Sequence, residues 1–175
     1  FNIFGVLDGH GPDGHFVSHF ATDFIPSQLI QNPEIKALSD PEKIYKKFKE
    51  NNYRIITQAF VSADSQLKNM EFDSLESGTT CCLIIHIGTH KICANTGDSR
   101  AIAVYDENYE DNLVNSEIYP LSYDCKPELP NEKKRIYECG GVVEKAYYFD
   151  DDSDDEEYIP YRVWAKGKDY PGLAM

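Results

Sequence analysis

Residues 1–16, FNIFGVLDGHGPDGHF, set Gly9, Gly11 and Gly14 at the G-x-G-x-x-G spacing of a dinucleotide-binding turn, between a strand-like run and a helical one. Whether that turn cradles a pyrophosphate decides between a parallel, doubly wound sheet and an antiparallel fold. The dinucleotide reading demands an acid ending a second strand about 20 residues after the last glycine. Glu34 stands at that distance, yet it lies in the polar stretch QNPEIKALSD, which contains Pro33 and leads into a helix cap. The next strand signal comes only at Thr79. Asp8 directly precedes the first glycine and Asp13 lies between the second and third, so two carboxylates would face the pyrophosphate and repel it. With a divalent cation in the same place the sign reverses, because a hard cation takes carboxylate and carbonyl oxygens and then itself attracts phosphate.

Outward from the turn, FNIFGVL is a short apolar run that suits a strand buried on both faces. From His15 the apolar residues Phe16, Val17, Phe20, Phe24 and Ile25 recur at helical spacing until Pro26, where the helix is expected to stop. In SDPEKIYKKFKENNYRIITQAFVSADSQL, Ser39 stands three residues before Glu42 as in a capping box, and Pro41 occupies the first turn. One apolar stripe from Ile44 to Leu67 then predicts the longest helix of the chain. The runs TTCCLIIHI, KICANTG and RAIAVY predict three successive strands in an antiparallel meander, covered by helix on one side and by something else on the other. Such a meander does not belong to a doubly wound sheet. EIYPLS is a further short strand, LPNEKKRIYECGG a helix stopped by Gly140, and VVEKAYYFDDDSDDEEYIPYRVW two strands around an acidic block. With seven acids in the eight residues 150–157, that block repels itself and is expected to be a solvated loop.

The 175 residues make one domain's worth of chain, with 41% apolar and 27% charged residues, as in an ordinary globular protein. A formal charge of −13 argues against nucleic acid or an anionic membrane as partner, because the overall field repels phosphodiester backbones. No apolar run is long enough to span a bilayer. Five cysteines, Cys81, Cys82, Cys93, Cys125 and Cys139, lack C-x-x-C spacing and mostly sit in apolar runs, which reads as reduced core thiols in an intracellular protein. The chain starts at Phe1 without a methionine and stops at PGLAM, so it is expected to be an excerpt of a longer protein.

The blocks DGHGPDG, ESGTTCCLIIHIGTHKICANTGDSRAIAVY, LSYDCKPELPNEKKRIYECGGVV and RVW…PGLAM occur in the order found in the metal-dependent serine/threonine protein phosphatases of type 2C, which the chain resembles along nearly its whole length. The resemblance implies an α+β fold of two packed antiparallel sheets flanked by helices, an α-β-β-α sandwich, incomplete in this chain. It implies a single, partial catalytic domain over residues 1–175 with an acidic insertion at about 149–158, and it implies hydrolysis of phosphoserine and phosphothreonine in protein substrates. In such enzymes the aspartate at the position of Asp8 bridges two Mg2+ or Mn2+ ions. The carbonyl at Gly9 adds a ligand, His10 is the general acid for the leaving group, and Asp98 helps to hold a third, weaker ion. A cytoplasmic or nuclear location goes with this reading.

Two alternatives stand beside it. One is a catalytically silent, phosphatase-like binding domain. The other is a nucleotide-binding oxidoreductase, which requires parallel strands. Residue by residue, Asp8 could instead cap the following helix, His10 could be a surface turn residue, and Asp98 and Arg100 could be ordinary hairpin-turn residues. Gly78, Thr79 and Thr80 read as structural. Cys125 replaces the histidine usual in the D-H-K-P element. The family's phosphate-binding arginine and one metal-ligand glutamate precede the D-G-H-G block, and two metal aspartates follow the point where PGLAM ends. The 175 residues alone are therefore expected to bind metal weakly and to show little or no activity.

Overall fold

In the computed structural model, residues 1–72, 76–105, 117–145, 160–167 and 172–173 are described. The expected acidic loop lies outside these residues. The chain divides into two compact units, Phe1–Asp124 and Cys125–Met175.

In the first unit, β1 (Asn2–Val6), β4 (Cys81–Ile87) and β5 (His90–Thr96) form an antiparallel sheet in the order β1-β4-β5. The two-residue strands β2 (Gly9–His10) and β3 (Gly78–Thr79) pair beside it, and β6 (Ile102–Tyr105) pairs with β7 (Glu117–Pro120). Every pairing among the described residues is antiparallel, which removes the oxidoreductase reading. The helices are α1 (Gly14–Gln31), α2 (Pro33–Lys36), α3 (Pro41–Glu50) and α4 (Arg54–Leu67). Alternate residues of β4, namely Cys81, Leu83, Ile85 and Ile87, enter one core with Leu29 of α1, Ile35 of α2, Phe48 of α3 and Ile56 of α4. Each of the large side chains among them gains roughly 1.5–3 kcal/mol on full burial. Exposed pairs such as Lys46–Glu50 add little, so the helices are held to the sheet chiefly by this core.

Several local expectations give way to tertiary context. Strand β1 is not buried on both faces: it pairs only with β4 among the described strands, and Phe4 and Val6 are 59% and 52% exposed. Helix α1 runs through Pro26 to Gln31. Proline at 26 has no amide to donate to the carbonyl of Thr22, a residue exposed to solvent, while the buried Ile25 and Leu29 anchor the helix on both sides. The expected longest helix is two helices, α3 and α4, broken where Asn52 and Tyr53 take φ of 53° and 58°. That left makes α1 the longest helix described, at 18 residues. The cap of α3 is Asp40, whose side chain accepts from the amides of Glu42 and Lys43 at 2.8 and 3.3 Å, in place of Ser39. Asp40→Ala should therefore cost about 1 kcal/mol in urea unfolding, with no change in the fold. The meander also ends one strand early, since β6 leaves β5 and takes β7 as its partner.

Burial pushes the Cys81 thiol up to about 12 and, with the neighbouring Cys82, the Cys93 thiol up to about 11. All five cysteines are unbridged. Protonated thiols of this kind are unreactive, as core residues should be.

In the second unit, α5 (Pro130–Glu138) ends at Cys139, and Gly140 follows with φ of 84°, the left-handed stop expected there. Strands β8 (Gly141–Lys145) and β9 (Tyr161–Ala165) then pair antiparallel. Among the described residues no helix is long and apolar enough to cross a membrane.

Candidate functional site

The glycine turn is cast against the segment Glu76–Thr80, and its three glycines serve close passage of backbone past backbone. A Cβ on Gly9 would lie 2.2 Å from the carbonyl oxygen of Gly14, and one on Gly14 would lie 2.6 Å from the carbonyl carbon of Gly9. Gly11 has φ of 82°, and a Cβ there would lie 2.2 Å from the carbonyl oxygen of Glu76. The spacing that resembled a pyrophosphate turn thus reflects how the end of one strand crosses the start of a helix.

Asp8 follows β1 and is pinned through its backbone. Its amide donates to Thr80 Oγ1 at 2.9 Å, and its carbonyl accepts from the Thr80 amide at 2.9 Å. Its carboxylate accepts no hydrogen bond and forms no ion pair among the described residues. Nor does it cap α1: the residue before that helix is Asp13, whose side chain makes no cap bond and whose amide donates to Ser77 Oγ at 2.9 Å. The capping alternative for Asp8 therefore fails. His10 stands opposite Gly78 in the β2–β3 pair, one residue beyond Gly9, which stands opposite Thr79.

Asp98 lies in the turn after β5, between Gly97, with φ of 92°, and Ser99. Ser99 Oγ and Thr80 Oγ1 are 2.6 Å apart. One buried hydroxyl, on a residue only 2% exposed, therefore joins the Asp8 peptide to the turn that carries Asp98. The far side of that turn is held by the segment before the unit boundary. Arg100 forks onto Asp124, Nε to Oδ1 at 2.9 Å and Nη2 to Oδ2 at 2.8 Å. Asn95 Nδ2 donates to the carbonyls of Gly97 and Tyr123, and the amide of Ala101 donates to Ser122 Oγ. Arg100 is thus more than an isolated turn residue, and the Asp124 carboxylate pushes its guanidinium further up from an already strongly basic value.

Asp8, Gly9 and His10 are contiguous, and Thr80 links them to the Asp98 turn. The donors at hand, a carboxylate without a hydrogen bond and a backbone carbonyl, are oxygen ligands of the kind a hard divalent cation takes. In kind they fit such an ion. In number they fall short of its six or more oxygens, because among the described residues no three His, Cys, Asp or Glu side chains gather as a metal-binding group. The positioning roles of Thr80, Ser77 and Asp124 were not legible as such, though a run of hydroxyl residues just before a buried strand is a signal that side chains there bond backbone.

A model of the family described as Protein phosphatase 2C matches residues 1–151. Over 172 residues the chain is 32% identical to "Probable protein phosphatase 2C 64" of Oryza sativa subsp. japonica, an alignment covering 98% of this chain and 36% of that protein. Over 178 residues it is 35% identical to "Probable protein phosphatase 2C 34" of Arabidopsis thaliana, covering 98% and 46%. The chain thus spans less than half the length of these relatives. In structure it is similar to the serine-threonine phosphatase 2C from Toxoplasma gondii, with a TM-score of 0.62 over 92% of this chain and 49% of that one, at 23% identity. The likeness extends to the fold, α+β with antiparallel sheets and outer helices.

Proposed function

Since the chain belongs to the protein phosphatase 2C family, we propose that it carries part of a catalytic site that hydrolyses phosphoserine and phosphothreonine in proteins. The observation that supports this reading best is the Asp8 carboxylate, which has no partner among the described residues although its own peptide is clamped on both sides by Thr80. A buried scaffold that fixes a side chain it does not use is what a ligand site requires.

In this reading Asp8 and the Gly9 carbonyl hold Mg2+ or Mn2+, and Asp98 helps with a further ion. When bound, a pair of such ions supplies neutralisation of phosphoryl charge and hydroxide near neutral pH. The chain's own contribution is placement. Thr80 fixes the direction in which the Asp8 carboxylate leaves the strand, and the Gly97–Ser99 turn is braced from one side by Thr80 and from the other by the Arg100–Asp124 fork. His10, two residues past Asp8, donates a proton to the serine or threonine oxygen as it departs, which avoids release of a strongly basic alkoxide. The surplus of acids, repulsive toward a phosphorylated substrate by itself, is then offset locally by the cations.

The shortage of donors among the described residues favours a second reading, a silent binding domain. Mn2+-dependent hydrolysis of a phosphothreonine peptide separates the two, measured on this chain and on its full reading frame. We expect little or no turnover from the 175 residues and clear turnover from the full frame. Absence of turnover in the full frame would leave the binding reading, and robust turnover by the 175 residues would show that no further ligands are needed.

A further inference from the structure

Gly78 stands directly across from His10 in the β2–β3 pair. Side chains of directly opposed residues in an antiparallel pair share a face, with Cβ atoms about 5 Å apart. Here one partner has no side chain, and the imidazole lies in the space that is left. A Cβ built on Gly78 would be 2.6 Å from His10 Nε2, 2.9 Å from Cε1 and 3.6 Å from Cδ2, and these are the three nearest atoms it meets. The backbone offers no other reason for glycine at this position. The glycines with left-handed φ are Gly11, Gly88, Gly97, Gly140 and Gly167, and Gly78 is not among them. Any residue could adopt its conformation, and what excludes a side chain is the histidine ring.

We propose that Gly78 is a positioning residue whose missing Cβ forms the seat of the His10 imidazole, holding the ring over the β3 backbone in the orientation from which it meets the substrate's leaving oxygen. The inference rests on the reading of His10 as proton donor. A proton donor must come within roughly 2.6–3.2 Å of its acceptor, and misplacement by about 1 Å can cost on the order of 10²-fold. The ring is the movable partner, since it ends a side chain while Gly78 is backbone in a paired strand. A methyl group at 78 therefore turns the ring out of its seat and leaves the strand pair in place.

Two measurements test this, one of position and one of chemistry. In NMR spectra of the full chain, nuclear Overhauser contacts from the His10 ring to the Gly78 α-protons are expected, and in Gly78→Ala the ring should lose its contacts to β3. A ring that keeps all its other contacts in Gly78→Ala would overturn the proposal. Should Gly78→Ala fail to fold, the double variant with His10→Ala decides. Recovery of the fold when the ring is removed supports the seat, and continued failure means that the methyl group meets something else and overturns it. In the full reading frame, Gly78→Ala should lower kcat about 10-fold or more on a phosphothreonine peptide and less than about twofold on p-nitrophenyl phosphate, whose leaving group departs without a proton. Equal losses on both substrates would overturn the positioning role. His10→Ala provides the control: if it too shows no difference between the substrates, the proton-donor reading of His10 fails, while the NMR contacts still decide whether Gly78 seats the ring.

Discussion

Asp8→Asn is expected to lower divalent-cation-dependent phosphatase turnover of the full reading frame by on the order of 10³-fold, the equivalent of several kcal/mol of transition-state stabilisation. The same change should leave stability nearly untouched. The substitution keeps the size of the side chain and removes its charge, and the carboxylate has no hydrogen bond within the described structure to lose. Both bonds between residue 8 and Thr80 run through the backbone of Asp8, so asparagine retains them. A residue that served the fold would give the opposite pattern, a fall in midpoint with activity lost only through unfolding. Calorimetric titration with Mn2+, together with kcat and the thermal midpoint, separates the two cases. Unchanged Mn2+ affinity and turnover in Asp8→Asn would remove Asp8 from the site.

What was legible in the sequence was what neighbours in the chain decide among themselves. The strand–turn–helix around Asp8, the β4–β5 hairpin and the stop of α5 at Gly140 all depend on residues a few positions apart. What escaped was settled at a distance. The partner of β6 lies beyond residues 106–116, with Ile102 opposite Pro120, and nothing local in RAIAVY names it. The apolar stripe resumes in register at Ile55 after the polar stretch 49–52, yet the chain turns at Asn52 and Tyr53, because folding α4 back lets Phe48 and Ile56 enter one core. Pro26 interrupts the helical pattern in the sequence, whereas in the fold one lost amide bond, roughly 3 kcal/mol with its steric cost, is offset by burial of Ile25 and Leu29. In the site itself Asp8 and Gly9 are legible as neighbouring oxygen donors at the end of a strand, whereas the roles of His10 and Asp98 come only with the resemblance to the phosphatase family. The hydroxyl that fixes Asp8 is 72 positions away in the chain. Thr80 reads as structural, and its hydroxyl is so in fixing the Asp8 peptide from which the carboxylate leaves.

The same geometry makes Thr80→Val the most damaging conservative change at the site. Valine fills the same space and keeps the backbone bond from the amide of residue 80 to the Asp8 carbonyl. It removes the oxygen that accepts from the Asp8 amide and that pairs with Ser99 Oγ. Position 80 is itself 2% exposed, whereas Asp8 is exposed and Ser99 half-buried, so water can make good part of what these two lose. A buried polar group left unpaired costs about 1–3 kcal/mol, and with water reaching part of the two partners a loss within that same range of about 1–3 kcal/mol in urea unfolding is expected. Thr80→Ser is the control, because it retains the oxygen and gives up only a methyl group in contact with Gly97, about 0.5–1.5 kcal/mol by analogy with loss of one buried methylene. Activity should follow the hydroxyl more closely than the stability does. In Thr80→Val the Asp8 peptide and the Asp98 turn lose their common tether, so Mn2+ affinity should fall even at temperatures where the variant is fully folded. In Thr80→Ser it should stay near that of the parent. If valine and serine were equally stable and bound Mn2+ equally well, the two halves of the site would have to be held together by something other than this hydroxyl.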